Sequence, residues 1–329
     1  MNEQTKLRAQ KLIENRDHVK SVFSWDSGLL HLACAGIYTV KDKTVDEKVL
    51  KYCKGLLKNR VGAFSNFRGT ARIPIAAMLA VSENPEKELE NALKMHDLLK
   101  KYFWASTYLP LAALILTEMA SEDEYDKIAA RTRIIYERMK AEHPFLTSSE
   151  DSAFCALMAL SDKSDDMLIQ EAESCYHILK ENFFSLNAVQ SLSHVLALCD
   201  GNAELKCQRT MELFTRLKEA GYKYGTSYEL PTLGILSMSK ADSCEIVRDM
   251  IEVDDWLSNQ KGFGFLGSVS KKQRLMYAGI LVQKDYFSEE TMQTAAVNGT
   301  ISLLVAQEAA MCAAVAASSA AASSGASSN

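Results

Sequence analysis

Proline, glycine and paired cysteine motifs are scarce in this sequence, and each shortage excludes a class of protein. Only 5 prolines and 15 glycines occur among 329 residues, which is too few for a loop-rich all-β fold of this length. The 8 cysteines form no Cys-x-x-Cys pair and no cluster with histidine at the spacing of zinc ligands, so we expect neither a metal site nor a cofactor. Most of them stand in apolar helical contexts, which predicts reduced structural thiols.

An excess of positive charge and a membrane-spanning segment are also missing. The formal net charge of −5 argues against nucleic acid or an anionic membrane surface as the partner. The first residues lack the apolar core of a signal peptide, and the apolar stretch 300–317 is rich in alanine and contains Gln307 and Glu308. We therefore expect a cytoplasmic protein without a membrane partner.

The sequence does contain an internal repeat of roughly forty residues. Aromatic residues recur at about this interval in turn-like contexts, and we call them the anchors. They are Phe23, Phe64, Phe103, Phe145, Phe184, Tyr224 and Phe263. Each anchor is followed by a short apolar run and then by a longer charged segment that leads to the next anchor. If each aromatic fills the junction between two repeats, the anchors belong to the core.

Both segments of each repeat have helical patterns. In residues 85–103, apolar side chains follow the three- and four-residue spacing of one helix face, and Asn84 with Pro85 is a typical helix start. The pair Thr226 and Glu229 fits a capping box at the start of a later helix. No stretch alternates as a strand does. The sequence therefore predicts an all-α fold made of about seven αα-hairpins.

The apolar segments bear on how the hairpins are arranged. Residues 109–116 and 154–160 are apolar on every side, and such helices have to be covered on every side. This favours a closed α/α toroid over the alternative, an open superhelix of the HEAT kind. We expect one helical-repeat domain over residues 1–317. The Ala/Ser tail 318–329 has too little apolar material to order itself.

The chain resembles a bacterial family of unknown function that is found mainly in Gram-positive species. The resemblance rests on overall length and on two segments, Thr107–Leu114 (TYLPLAAL) and Phe263–Gly267 (FGFLG), and it covers residues 1–315. It implies no catalytic or binding residues, because the family has none assigned. Toroids of similar kind occur in terpenoid cyclases, prenyltransferases and some glycosidases, but their motifs are absent here, and fold analogy is weak evidence of function.

The loops that lead into equivalent helices of a repeat array emerge at the same end, so their side chains form the candidate site. Arg68 and Arg72 stand four apart at the start of an apolar helix, where two guanidinium groups and the helix dipole favour an anion. The alternative is a salt bridge to a neighbouring repeat. The aromatic candidates for ligand contacts are Trp25, Phe67, Trp104, Tyr108, Tyr224, Tyr228 and Phe265.

Three acids near the same loops, Glu150, Asp151 and Glu229, are candidates for acid or base chemistry, although acids are also favoured in the first turn of a helix. His31 and His194 lie within apolar segments, where a buried structural role competes with a functional one. The sequence favours a helical-repeat binding protein for a peptide, a protein or a small anionic molecule. An α/α-toroid enzyme that acts on an anionic or carbohydrate-like substrate is the alternative.

Overall fold

The computed structural model describes residues 1–63, 65–264, 267–288, 298–309 and 311–312. Throughout these ranges every regular element is a helix, so the predicted all-α class is confirmed. No helix in the described part of the chain combines the length and the apolar character needed to cross a membrane.

Two kinds of helix alternate along the chain. The longer, amphipathic helices are α1 (Glu3–Val22), α3 (Glu47–Arg60), α5 (Pro85–Leu99), α7 (Tyr125–Glu142), α9 (Asp165–Leu179), α11 (Ala203–Glu219) and α13 (Ser243–Ser258). The shorter, apolar helices are α2 (Gly28–Val40), α4 (Arg72–Ala80), α6 (Tyr108–Met119), α8 (Asp151–Ala159), α10 (Leu186–Ala197), α12 (Leu230–Ser237) and α14 (Lys271–Val282). Short 3₁₀ turns cover Asn66–Arg68, Glu122–Glu124 and Gln283–Asp285. The alternation is as expected, while the number of equivalent repeats stays a prediction.

Helix α5 shows why the amphipathic segments fold as they do. Asn84 caps its start by accepting a hydrogen bond from the backbone N–H of Lys87 (3.1 Å), and Pro85 occupies the first helical position. Leu89, Met95 and Leu99 recur on one face and are buried, whereas the opposite face carries charged residues. The helix start and the buried face predicted from the sequence are confirmed here.

The apolar helices are enclosed on every side. All nine residues of α8 and all eight of α12 are buried. Helix α10 packs against α8, α9 and α12, and its contact with α12 is close at Gly234. A Cβ atom at this glycine would lie 2.6 Å from Leu192 Cδ1, so the Leu192 side chain would have to move to admit a larger residue.

Basic side chains of the amphipathic helices cover the C-terminal ends of apolar helices, where backbone carbonyls lack helical partners. This arrangement recurs at α8, α10 and α12. Arg131 donates to the carbonyls of Ala159, Ser161 and Lys163, Lys206 to those of Leu196 and Cys199, and Arg209 to those of Ser237 and Ala241. Each contact ties a charged helix to the end of an apolar one.

The chain divides into two compact units, each made of two segments. The first unit comprises Met1–Ala9 and Asp123–Leu304, and the second comprises Gln10–Glu122 and Val305–Asn329. Within the first unit, Arg8 donates to the carbonyl of Leu281 (3.0 Å) and pairs with Asp285 (2.5 Å). The expectation of one domain over residues 1–317 stays a prediction, and the tail 318–329 lies outside the described residues.

Candidate functional site

The second unit contains a surface cavity of about 400 Å³ at the start of α4. We call it the cationic pocket and define it by its lining residues. These are Phe23, Asp26, Lys54, Leu57, Lys58, Arg68, Arg72 and Ile73. The predicted pair Arg68 and Arg72 therefore meets at one cavity. A volume of this size lies in the usual range of small-molecule pockets, which is roughly 300–1,000 Å³.

The two arginines reach the pocket from different elements. Arg68 ends the 3₁₀ turn Asn66–Arg68, and Arg72 is the first residue of α4. The sequence had placed both at the start of one helix, whereas Gly69 follows the 3₁₀ turn as its cap and separates it from α4. Tertiary packing rather than helical spacing brings the two guanidinium groups to the same cavity.

Backbone carbonyls at the end of α3 hold Arg68 in place. Its Nη1 donates to the carbonyl oxygens of Lys58 and Val61, both at 3.3 Å. These carbonyls belong to the negative end of the helix dipole, which favours a guanidinium group. The side chain is half-buried, and the structure records no hydrogen bond from its Nε or Nη2 to the described residues. Nε and Nη2 of Arg68 thus keep hydrogen-bonding capacity that the described residues do not use.

Arg72 is exposed and stands at the positive end of α4. Among the described residues, no carboxylate forms an ion pair with it. No side chain caps this helix start, since Ala71 occupies the N-cap position. The helix dipole and the guanidinium charge therefore act in the same direction and favour an anion at this point.

Two lysines of α3 complete the positive charge of the pocket. Lys54 and Lys58 are four residues apart on the same helix, so they share a face. The Lys54 ammonium lies 4.8 Å from the centroid of the Phe23 ring, at the distance of a cation–π contact. The sequence prediction missed both lysines, although their four-residue spacing was the signal that had drawn attention to the arginines.

The loop between α1 and α2 supplies the remaining wall. Phe23 is buried, and its carbonyl accepts hydrogen bonds from the backbone N–H of Asp26 (3.0 Å) and from Nε2 of His31 (2.7 Å). His31 therefore has a structural role, and desolvation by burial lowers its pKa. Ser27 caps α2 by accepting from the backbone N–H of Leu30 (3.3 Å). These bonds fix the position of Asp26.

The aromatic candidates divide between surface and core. Trp25 and Trp104 are almost fully exposed, at 97% and 96%. Phe67 is fully buried and meets the ring of His96 edge-on at 5.1 Å, so it lies in the core and not on a ligand-binding surface. Tyr224 is also buried. Tyr108 and Tyr228 are half-buried, while Phe265 lies outside the described residues.

The anchors behave less uniformly than a strict repeat requires. Phe23, Phe103, Tyr224 and Phe263 are buried as expected, and Phe64 lies outside the described residues. Phe145 and Phe184 are fully exposed instead. The neighbouring Phe183 fills the core position and meets Phe214 edge-on at 5.0 Å. In the turn before α10, the earlier of two adjacent phenylalanines is therefore the buried one.

The three candidate acids lie in the first unit, and two of them hold helix starts. Asp151 Oδ2 accepts from the backbone N–H of Ser148 (2.7 Å), and Glu229 Oε2 accepts from that of Ser227 (3.2 Å). The predicted capping box of Thr226 and Glu229 does not form, because Glu229 is itself the N-cap of α12 and its carboxylate accepts from Ser227 instead. Both acids are buried, whereas Glu150 is exposed. We infer that Asp151 and Glu229 fix the loops that precede α8 and α12.

A buried histidine lies beside one of these acids. His194 Nδ1 is 3.8 Å from Asp151 Oδ1, and neither ring nitrogen of His194 makes a hydrogen bond to the described residues. Burial lowers the pKa of His194 to about 3 and raises that of Asp151 to about 6. Near neutral pH the imidazole is uncharged, and it packs edge-on against Phe154 with ring centroids 5.6 Å apart.

Among the described residues, no three side chains of His, Cys, Asp or Glu group together as metal ligands would.

Comparison with known proteins gives a family without an assigned activity. The family model described as "Protein of unknown function (DUF4003)" matches residues 15–310. The uncharacterized protein YeaA of Bacillus subtilis (strain 168) is 24% identical over 317 residues, which cover 94% of this chain and 93% of YeaA. No solved structure matches the chain.

Proposed function

Since the chain belongs to the DUF4003 family, whose description assigns no function, we propose from its geometry that it binds a small anionic ligand in the cationic pocket. One observation carries the proposal: four basic side chains and a single acid, Asp26, line the same cavity of about 400 Å³. The chain as a whole carries a net charge of −5, so this concentration of positive charge runs against its average.

Anion binding follows from the donors that the pocket presents. Arg68 and Arg72 supply planar forks that suit the paired oxygens of a phosphate or carboxylate, and the lysines add compact charges. Leu57 and Ile73 give the cavity an apolar wall that limits competition from water. Because Asp26 is the only acid among the described residues that line the pocket, they offer no pair of carboxylates for acid–base chemistry. We therefore propose binding in preference to the enzymatic alternative.

Calorimetric titration of the full chain with inorganic phosphate at low ionic strength tests this proposal. The variant Arg72→Ala should weaken binding about ten- to hundredfold, because one charge-assisted contact contributes roughly 1.5–3 kcal/mol. Arg72 is a cleaner test than Arg68, whose hydrogen bonds to Lys58 and Val61 also stabilise the fold. Arg60→Ala is the matched control, since it removes the same charge from a neighbouring surface groove that contains Glu86 and Glu90.

Phosphate binding that is equal in Arg72→Ala and Arg60→Ala would contradict the proposal. So would the absence of any phosphate binding by the wild-type protein at millimolar concentration.

A second candidate function, docking of a peptide or protein, is supported by the exposed aromatic side chains Phe145 and Phe184 of the first unit. Large apolar side chains that are fully exposed in the loops before apolar helices are typical of interaction surfaces when they are grouped. Loss of a bound partner in Phe184→Ser, with phosphate binding unchanged, would favour this function over the first.

The arrangement of the repeats and the compartment stay predictions. The complete burial of α8 and α12 supports the closed α/α toroid over the HEAT-like alternative, because a helix covered on every side suits a ring. Small-angle scattering distinguishes the toroid from the open superhelix.

The free thiols of the cysteines support a reducing, cytoplasmic location.

A further inference from the structure

Asp26 is an unusual member of the cationic pocket because its carboxylate has no hydrogen-bond or ion-pair partner among the described residues. The structure records no hydrogen bond to its side chain from the described residues, and none of their basic nitrogens lies within 4.0 Å of it. Attraction between opposite charges would normally draw a carboxylate to one of four nearby cations. The hydrogen bonds at Phe23 and the cap at Ser27 instead hold the loop in place.

A carboxylate kept apart from its neighbours is available to accept hydrogen bonds from a ligand. The donor on that ligand has to be compatible with the four basic side chains around it. An ammonium group would be repelled by them, whereas a hydroxyl group donates a hydrogen bond without adding positive charge. The acid therefore selects hydroxyl groups, and the basic side chains select the anion.

The anion is best matched by a phosphate. Four cations and one carboxylate leave three positive charges in the pocket, which a dianionic group neutralises more fully than a single carboxylate does. From these features, and resting on the proposed function, we propose that the ligand is a phosphate monoester of a polyhydroxy compound. The phosphate contacts Arg68 and Arg72, and one or more hydroxyl groups donate to Asp26.

The size and wall chemistry of the pocket fit this class. A cavity of about 400 Å³ is near the lower end of the usual range, which suits a compact molecule such as a short-chain or single-ring sugar phosphate. Phe23, Leu57 and Ile73 provide an apolar surface for its carbon skeleton. Each part of the ligand therefore has a counterpart on the wall.

Two ligands that differ only in hydroxyl groups test the proposal. Glycerol 3-phosphate and propyl phosphate carry the same phosphate ester on a three-carbon chain, but the second lacks both hydroxyls. Calorimetric titration of the wild-type chain should give at least fivefold tighter binding of glycerol 3-phosphate. Phosphoethanolamine, which carries an ammonium group instead, should bind more weakly than either.

Substitution of Asp26 provides a signature that a structural role would not produce. In Asp26→Ala the preference for glycerol 3-phosphate over propyl phosphate should vanish, while propyl phosphate itself binds more tightly because a repulsive charge is gone. Asp26→Asn is the second variant, to be used if Asp26→Ala folds poorly. It keeps an acceptor oxygen, so it should retain part of the preference for glycerol 3-phosphate. Asp97→Ala on α5 is the control, because it removes an exposed carboxylate away from the pocket lining.

The outcomes separate this inference from the proposed function. Equal binding of both phosphates by the wild-type chain would overturn the selection of hydroxyl groups and leave anion binding intact. A preference for phosphoethanolamine would overturn it as well, since Asp26 would then recognise an ammonium group. Failure of all three phosphates to bind would overturn both proposals together.

Discussion

Adjacent aromatic residues in the loops before the apolar helices occupy opposite environments. Phe183 is 5% exposed and packs against Phe214, whereas Phe184 projects into solvent, as Phe145 does in the preceding repeat. A phenylalanine contributes to stability through the apolar area it buries, so exposed and buried members of this set differ sharply in effect. The same residue type therefore serves the core in one position and the surface in the next.

We predict that Phe183→Ala lowers the free energy of unfolding by about 3–5 kcal/mol, because it leaves a cavity in the core. Phe145→Ala should change it by no more than about 0.5 kcal/mol, as expected for an exposed side chain. Urea denaturation of both variants measures the difference. A loss above roughly 2 kcal/mol in Phe145→Ala would show that this residue is buried in solution.

The contrast between these residues shows where sequence reasoning stops. A repeat of about forty residues located the turn before α10, but Phe183 and Phe184 are equally apolar in the sequence. A shift of one residue within the turn decides which of them enters the core, and that shift depends on how α9 and α10 pack. The positions of the anchors were therefore predictable to within one or two residues, and their burial was not.

At the scale of the helix, the recurring feature is a basic residue that covers the end of an apolar partner. Arg131 on α7 makes the densest of these contacts. Its Nε pairs with Asp165 Oδ1 at 2.8 Å, and its Nη1 donates to the carbonyls of Ala159 (3.1 Å) and Ser161 (2.5 Å). The guanidinium group thereby joins the end of α8 to the start of α9, so one side chain holds three helices in register.

Arg131→Ala should lower the free energy of unfolding by about 2–3 kcal/mol, since it leaves several carbonyls at the end of α8 without donors. Arg133, two positions later on α7, is the matched control. It pairs with Glu137 one turn away on the helix surface, so Arg133→Ala should cost no more than about 0.5 kcal/mol. Thermal unfolding of both variants compares the two losses of stability, and equal losses would refute the capping role of Arg131.

The elements themselves were largely predictable, whereas the composition of the site was not. The apolar and amphipathic segments have distinct patterns, so the alternation of helices was clear from the sequence. The cationic pocket combines Arg68 and Arg72 with Lys54 and Lys58 of a preceding helix, and no local pattern joins these pairs. The side chains meet because α3 packs against α4 and the 3₁₀ turn. Contacts of this kind depend on tertiary packing.

At the scale of the whole molecule, buried histidines link stability to pH. Burial lowers the pKa of His194 to about 3 and that of His96 to about 4, while it raises that of Asp151 to about 6. His96 Nε2 and both nitrogens of His194 have no hydrogen-bond partner among the described residues. Carboxylates lie 4.0 Å from His96 Nδ1 (Asp97) and 3.8 Å from His194 Nδ1 (Asp151), but the cost of burying a charged imidazole outweighs their attraction. The folded chain therefore resists protonation at these positions.

The sign of the effect follows from linkage. An imidazole with a lowered folded-state pKa stabilises the fold fully above its unfolded value of about 6.5, and this contribution is lost as pH falls. By pH 4 each of His96 and His194 removes roughly 3 kcal/mol. Asp151 acts in the opposite direction, since its raised pKa favours the folded state as pH falls from about 6 to about 4, and it offsets roughly 2 kcal/mol. Acidification from about pH 7 to about pH 4 should thus cause a net loss on the order of 4 kcal/mol from these three groups.

The variant His96→Leu isolates one part of this dependence. Its stability at pH 7 reflects repacking against Phe67, so the informative quantity is the slope between pH 6.5 and pH 4. We expect that slope to be shallower than in the wild-type chain, because one buried imidazole no longer has to be protonated on unfolding. His177→Leu, which removes an exposed histidine of α9, serves as the control and should leave the slope unchanged. Parallel pH profiles for His96→Leu and the wild-type chain, measured by urea denaturation, would mean that the His96 imidazole is protonated as readily in the folded protein as in the unfolded chain.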